Sequence, residues 1–274
     1  MHATFWLLNA PDSLAVQARR DPDGTGLGYY DRKRRLVVHR CPLPAYEDQT
    51  FVRMARRASS RTFIAHVRFA SGSPVSLDNT HPFQQHDRLF GHNGLLRGVD
   101  ELEAELGPYM SLVQGDTDSE RFFALITREI ERAEGDVTTG LQAAASWVAE
   151  HLPIYALNLV LTTTNGIWAL RYPDTHELLV LERAAGGRQN RHFDGTSVSG
   201  FLRVHSMDLL GHPAVVVASE ALDDSQEWRP LEPGELVHVG PDLVIASRLA
   251  LPGPPAHRLT YADLHPEEAA SQAA

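Results

Sequence analysis

The chain has 274 residues, 43% of them hydrophobic and 22% charged, enough apolar content for one sizeable soluble core. A formal net charge of -10 argues against nucleic acid and anionic membrane as partners. The single cysteine, Cys41, rules out an internal disulfide and fits a reducing cytoplasm, and no apolar run approaches the length of a bilayer span.

In chain order, residues 3–10 are apolar and Pro11-Asp12-Ser13 opens a short helix over 14–20, with Asp12 or Ser13 as cap. A turn-rich loop, 21–26, leads to strands at 27–31 and 35–40 joined by a charged turn. A helix is predicted over 47–57 and a buried strand over 62–69. The next strand, 88–92, is expected to stop at Asn93-Gly94. Helices are predicted next at 99–106, 118–134 and 137–151, the last with Asp136 as N-cap. Strands then dominate. Residues 157–164 and 167–171 flank Asn165-Gly166, a hairpin signal, and 177–181 is expected to add a third strand. Further strands are predicted at 197–204, 214–219, 235–239 and 243–246, with a polar loop over 186–194. A single domain, 1–251, precedes a Pro/Ala-rich tail, 252–274, expected to be ordered only in part. Strands, a helix block, then strands again suggest an α+β fold: two antiparallel sheets face to face with helices outside, a four-layer αββα sandwich.

Three segments carry chemistry. Arg68 ends a buried strand in His66-Val67-Arg68-Phe69-Ala70-Ser71, where a guanidinium needs an anion and its planar fork suits a carboxylate. Asn93 and Gly94, in Phe90-Gly91-His92-Asn93-Gly94, offer a side-chain amide and a backbone N–H that can converge on one oxyanion. Asp118, in Asp116-Thr117-Asp118-Ser119-Glu120, can cap a helix and present a carboxylate to an ammonium. Each has a plainer reading alone: a local salt bridge, an Asn-Gly turn, a helix cap. Together they offer a cationic fork, oxyanion donors and an anion, which an α-amino acid with a side-chain amide would require.

The runs Ala65 to Ser71, Asn79-Thr80-His81-Pro82-Phe83, Gly91 to Gly94 and Thr117-Asp118-Ser119-Glu120, in this order and spacing, resemble the class II glutamine amidotransferases. Pro22 to Gly28 and Trp228-Arg229-Pro230-Leu231-Glu232-Pro233-Gly234-Glu235 extend the resemblance over nearly the whole chain. It implies an N-terminal-nucleophile hydrolase fold and hydrolysis of glutamine or a γ-glutamyl compound by an N-terminal cysteine, with no metal or other cofactor. By the same resemblance Arg68 holds the substrate carboxylate, Asp118 its α-ammonium, Ser71 a further substrate contact, and Asn93 and Gly94 the oxyanion. His81 and His92 take structural roles.

One departure matters. The family pattern opens with Met-Cys and a short apolar strand, whereas residue 2 here is His and residues 3–10 match the stretch just after that strand. The expected fold therefore lacks its first strand, and the chain as written is expected to be inactive. A start placed too far downstream and a binding-only protein for glutamine or γ-glutamyl compounds both account for this. A metal-dependent hydrolase, using His81, His86 and His92, is the other rival, but these lack metal-ligand spacing on a helix. The expected partner is a small-molecule substrate, with a homo-oligomer compatible and a cytoplasmic location.

Overall fold

The computed structural model describes residues 2–185, 193–196, 203–206 and 212–272. In chain order the elements are α1 (Leu14–Gln17), β1 (Thr25–Tyr30), β2 (Leu36–Cys41), α2 (Gln49–Arg57), β3 (Phe63–Val67), β4 (Phe83–Gln85), β5 (Arg88–Leu96), α3 (Val99–Leu106), α4 (Asp118–Arg132) and α5 (Val137–His151). Next come β6 (Pro153–Thr163), β7 (Gly166–Leu170), β8 (Leu179–Arg183), β9 (Phe193–Thr196), β10 (Arg203–Ser206), β11 (Ala214–Ala218), β12 (Arg229–Pro230), β13 (Glu235–Val239), β14 (Ile245–Leu249), β15 (His257–Arg258) and α6 (Pro266–Gln272). A π-helical turn, Phe5–Asn9, precedes α1. The strand predicted over 197–204 and the loop over 186–194 lie, except at their ends, outside the described residues. Among the described residues no helix is long and apolar enough to cross a membrane.

One sheet runs β14-β13-β7-β6-β5-β4, antiparallel throughout, with β15 added in parallel to the start of β6. Its helix-facing side packs Phe90, Leu157, Leu159 and Leu161 against Phe122, Phe123 and Ile126 of α4 and Leu141 and Val148 of α5. A second layer covers its other face in two pieces, β2-β1-β3 and β11-β8-β12. Leu89 and Val160 meet Ile64 of the first piece, and Ala169 and Val237 meet Val180 and Val217 of the second. Outside that layer, α2 buries Phe51 and Ala55 over Leu27, while Phe5 and Trp6 of the π-helical turn cover Leu181. The order is helices, sheet, sheet, helices: the four-layer α+β sandwich.

Three expectations are corrected. Strand β5 does not stop at Asn93-Gly94 but continues to Leu96, because Asn93, Gly94 and Leu95 stay in register with Asn158, Leu157 and Ala156 of β6. The β6–β7 hairpin pairs Thr163 with Gly166, so its two loop residues are Thr164 and Asn165, one position earlier than the Asn-Gly signal. The segment at 177–181 does not extend that hairpin. As β8 it crosses into the second layer and pairs with β11 and β12.

The two pieces of the second layer do not pair with each other. β3 bonds β1 on one side and β11 bonds β8 on one side, so each leaves an edge open among the described residues. An apolar groove of about 230 Å³ lies between them, walled by Ile64, Ala65, Val215 and Val217 and floored by Val160, with Ala3 also in its lining.

Candidate active site

Arg68 directly succeeds β3, whose end is fixed by Arg68 N–H donating to Gly24 O (2.9 Å) and Asp23 N–H donating to Arg68 O (2.9 Å). The residue is 5% exposed. Its guanidinium donates to Ser73 Oγ (2.7 Å), Ser73 O (3.2 Å) and Pro74 O (3.3 Å), holding the loop that comes next. Among the described residues no carboxylate lies within ion-pair distance, and burial works against its charge, with only Asp23 in opposition. A buried guanidinium bonded only to neutral oxygens, and to no anion, is an unfinished site.

Asp118 opens α4 but is not its cap: Thr117 is, its hydroxyl accepting from Glu120 N–H (3.2 Å). Capping by the threonine frees the Asp118 carboxylate to turn back. Oδ1 accepts from Ser119 N–H (2.7 Å) and Ser119 Oγ (3.2 Å), and Oδ2 from Leu96 N–H (2.8 Å) at the end of β5. A carboxylate has about four acceptor positions, so capacity remains for an ammonium.

Asn93 is exposed, and its side chain has no hydrogen-bond partner among the described residues. At Gly94 the packing admits no side chain: a Cβ would stand 2.1 Å from Ala156 O and 2.5 Å from His92 Nε2. Arg68, Ser71, Asn93, Gly94 and Asp118 all line one cavity of about 480 Å³, in the range of small-molecule sites. Asp21 and Glu220 stand on its wall with carboxyl pKa values raised chiefly by burial, Glu220 paired to Arg20 at 2.7 Å.

In the cavity lining His66 stacks on His81 (ring centroids 4.3 Å), and His81 packs on Phe83 (4.4 Å). Burial lowers the pKa of His66 to about 4, that of His81 well below the ordinary value, and that of His92 in the same direction. His92 Nδ1 meets Ser119 Oγ at 2.9 Å. His86 does not join them: it sits in the β4–β5 turn, 3.3 Å from Glu131. Cys41 is not among the cavity-lining residues, and burial, then Asp48, raises its thiol pKa, the reverse of what activates a nucleophile.

Residues 12–248 match the family described as glutamine amidotransferases, class II. The chain belongs to this family. It is 28% identical over 255 residues to the gamma-glutamyl-hercynylcysteine sulfoxide hydrolase of Mycolicibacterium smegmatis, covering 89% of this chain and 92% of that protein. It is 31% identical over 134 residues to "Probable glutamine amidotransferase DUG3" of Saccharomyces cerevisiae, covering 44% of this chain but only 38% of that protein. The glutamine phosphoribosylpyrophosphate amidotransferase of B. subtilis superposes with a TM-score of 0.61 over 88% of this chain and 46% of that one. At 19% identity that likeness shows the fold alone, the N-terminal-nucleophile hydrolase type.

Within this class II amidotransferase chain, the residues that hold the cavity together are not evident from sequence. Asn79 is fully buried. Its amide donates to Pro74 O (3.1 Å) and Asp116 Oδ2 (3.2 Å) and accepts from Asp116 N–H (2.7 Å). It therefore joins the loop held by Arg68 to the loop preceding Asp118. Asn79 lies in one of the family-like runs, and an amide between two turn-rich loops is the signal that could have found it. Ser73 acts through its hydroxyl and its carbonyl, Leu96 through its backbone N–H and Ser119 through its hydroxyl, with partners that only the fold brings near.

Proposed function

We propose that the cavity takes the γ-glutamyl group of glutamine or of a related γ-glutamyl compound, and that the chemistry is hydrolysis of its amide. The observation that carries this reading is Arg68: a buried guanidinium without a carboxylate partner among the described residues, in one cavity with Asp118 and the amide of Asn93. Arg68 would receive the substrate α-carboxylate and Asp118 the α-ammonium. The γ-carbonyl would then face Asn93 Nδ2 and the Gly94 N–H, which stabilise the oxyanion formed when a thiolate attacks. The amine leaves with a proton, and water cleaves the resulting thioester to glutamate. The likeness to a gamma-glutamyl-hercynylcysteine sulfoxide hydrolase over most of both chains supports γ-glutamyl compounds as well as glutamine.

The nucleophile belongs in the groove between β3 and β11. Val67 and Arg68 at the end of β3, and Ser219 and Glu220 after β11, line the cavity, so both strands run towards it. Ala3 stands at the groove, next to the first residues of the chain. A strand descending the groove from the cavity to His2 would run antiparallel to both neighbours and complete one continuous sheet. A cysteine at its upper end would meet the cavity. The absence of any cysteine from the cavity lining favours a second reading, binding without hydrolysis, for the chain as written. Calorimetric titration with L-glutamine tests the clamp common to both readings. Saturable binding that Asp118→Asn weakens at least tenfold is expected, and no saturable binding to the unmodified chain would sink the assignment.

A further inference from the structure

We propose that the C-terminal segment, residues 252–272, is a wall of the active cavity and limits the size of the leaving group it admits. The size limit rests on the γ-glutamyl reading of the cavity. The wall itself rests on contacts that have no part in that reading.

After β14 the chain turns across the edge of the first sheet. Ala256 N–H donates to Ala149 O (2.9 Å) at the end of α5, β15 pairs with Pro153 and Ile154, and Leu259 N–H donates to Ile154 O (2.8 Å). Leu259 and Leu264 pack on Leu95, Tyr155 and Ala156. Arg258 pairs with Asp174, and Asp263 caps the turn before α6 by accepting from Thr260 N–H (2.7 Å) and Oγ1 (2.6 Å). The main anchor is Arg97, whose Nη2 donates to Asp263 O (2.8 Å) and Glu268 Oε2 (2.6 Å). Glu268 also accepts from His265 N–H (2.7 Å), so one largely buried carboxylate fixes both the start of α6 and its place on the sheet. Arg97 is next to Leu96, whose N–H holds Asp118. The anchor of the wall and the proposed ammonium site thus share one dipeptide.

So held, α6 brings Ser271 into the lining of the cavity that contains Arg68 and Asp118. Glu267 and Ala270 face Gly72, Ser73 and Pro74 across a shallow cleft, on the loop whose carbonyls Arg68 holds from inside. That loop is therefore bounded by Arg68 within and by α6 without. With a γ-glutamyl group clamped at Arg68 and Asp118, its amine substituent would lie in the rest of the cavity, whose lining includes Thr175, His176 and Ser271. Glutamine places only an NH2 group there. A bulky amine would press on Ser271.

The test titrates the full chain with L-glutamine and with γ-L-glutamyl-p-nitroanilide. Ser271→Trp should lower affinity for the anilide at least fivefold more than affinity for glutamine. Glu268→Ala, which frees α6, should move the same ratio at least threefold the other way. Equal changes for the two probes in both variants would overturn the size limit. Hydrogen–deuterium exchange reads the wall without any ligand: Glu268→Ala should raise exchange in residues 70–76 and 266–272 together. A rise confined to 266–272 would overturn the contact between wall and loop. Coupled exchange with neither probe binding to the unmodified chain would sink the γ-glutamyl reading, and the size limit with it, while upholding the wall.

Discussion

Arg68 and Asp118 each serve the fold and the proposed ligand, and that double duty shapes the expected effects of substituting them. Asp118→Asn retains an oxygen for Leu96 N–H, so the end of β5 should hold while the ammonium loses its counter-charge. Asp118→Ala leaves that N–H without its acceptor, a loss of about 1–3 kcal/mol. Urea unfolding should therefore separate the two variants, while calorimetry with L-glutamine shows both impaired. Gly94→Ala is predicted to be more damaging. Its methyl would stand 2.1 Å from Ala156 O, so β5 must shift from β6, at a cost of about 1–3 kcal/mol or more. Both melting temperature and glutamine affinity should fall, and an unchanged melting temperature would contradict the close approach of the two strands. The buried histidines of the cavity lining add a pH dependence. In the unfolded chain a histidine takes up its proton near pH 6.5, but folded His66 does so only near pH 4. Between those values the unfolded chain binds more protons. Stability should thus fall as pH drops from 6.5 towards 4, by up to about 1.4 kcal/mol per unit for this residue. Urea midpoints at pH 7, 5.5 and 4.5 check this, and His66→Phe should flatten the slope.

At the scale of elements, local chemistry was legible and pairing was not. Asp136 caps α5 as expected, accepting from Thr139 N–H, whereas α2 starts at Gln49 rather than 47 because Asp48 caps it, accepting from Thr50 and Phe51 N–H groups. Thr117 rather than Asp118 caps α4, and the aspartate instead accepts from Leu96 N–H across the gap to β5. The overrun of β5 past Asn93-Gly94 has a tertiary cause: β6 supplies partners that a turn signal cannot foresee. The same holds for β8, whose apolar pattern suits either sheet and whose partners lie more than thirty residues onward in β11. The candidate site was legible as a set of residue types in order. Its support was not, because Asn79, Leu96 and the wall at Ser271 act through contacts between distant segments. The open edges of β3 and β11 yield an element-scale prediction. An extended apolar segment joined ahead of His2 should fill the groove, raise the melting temperature and suppress aggregation, because it pairs two unprotected edges. A lengthened chain no more stable than the present one would argue against the groove as a strand site.

For the whole molecule, a class II glutamine amidotransferase fold holds a cavity lined by Arg68, Asn93, Gly94 and Asp118, the proposed amino-acid clamp, and an adjoining apolar groove between β3 and β11, the proposed place of one strand. The cavity and groove meet at Asn93 and His66, which line both. Chemistry and architecture thus depend on the same element: a strand in the groove would complete the sheet and bring a nucleophile to the oxyanion donors. Positioning and oxyanion donors without a nucleophile leave a hydrolase roughly a thousandfold or more above water, far below detection against so slow an uncatalysed amide hydrolysis. The most direct test is glutamate release from L-glutamine, measured side by side for residues 1–274 and for the same chain preceded by Met-Cys and a short apolar strand. No measurable release is expected from the first, and release from the second should be lost on Cys→Ala at the added position and unaffected by Cys41→Ser. Robust release from residues 1–274, abolished by Cys41→Ser, would contradict this.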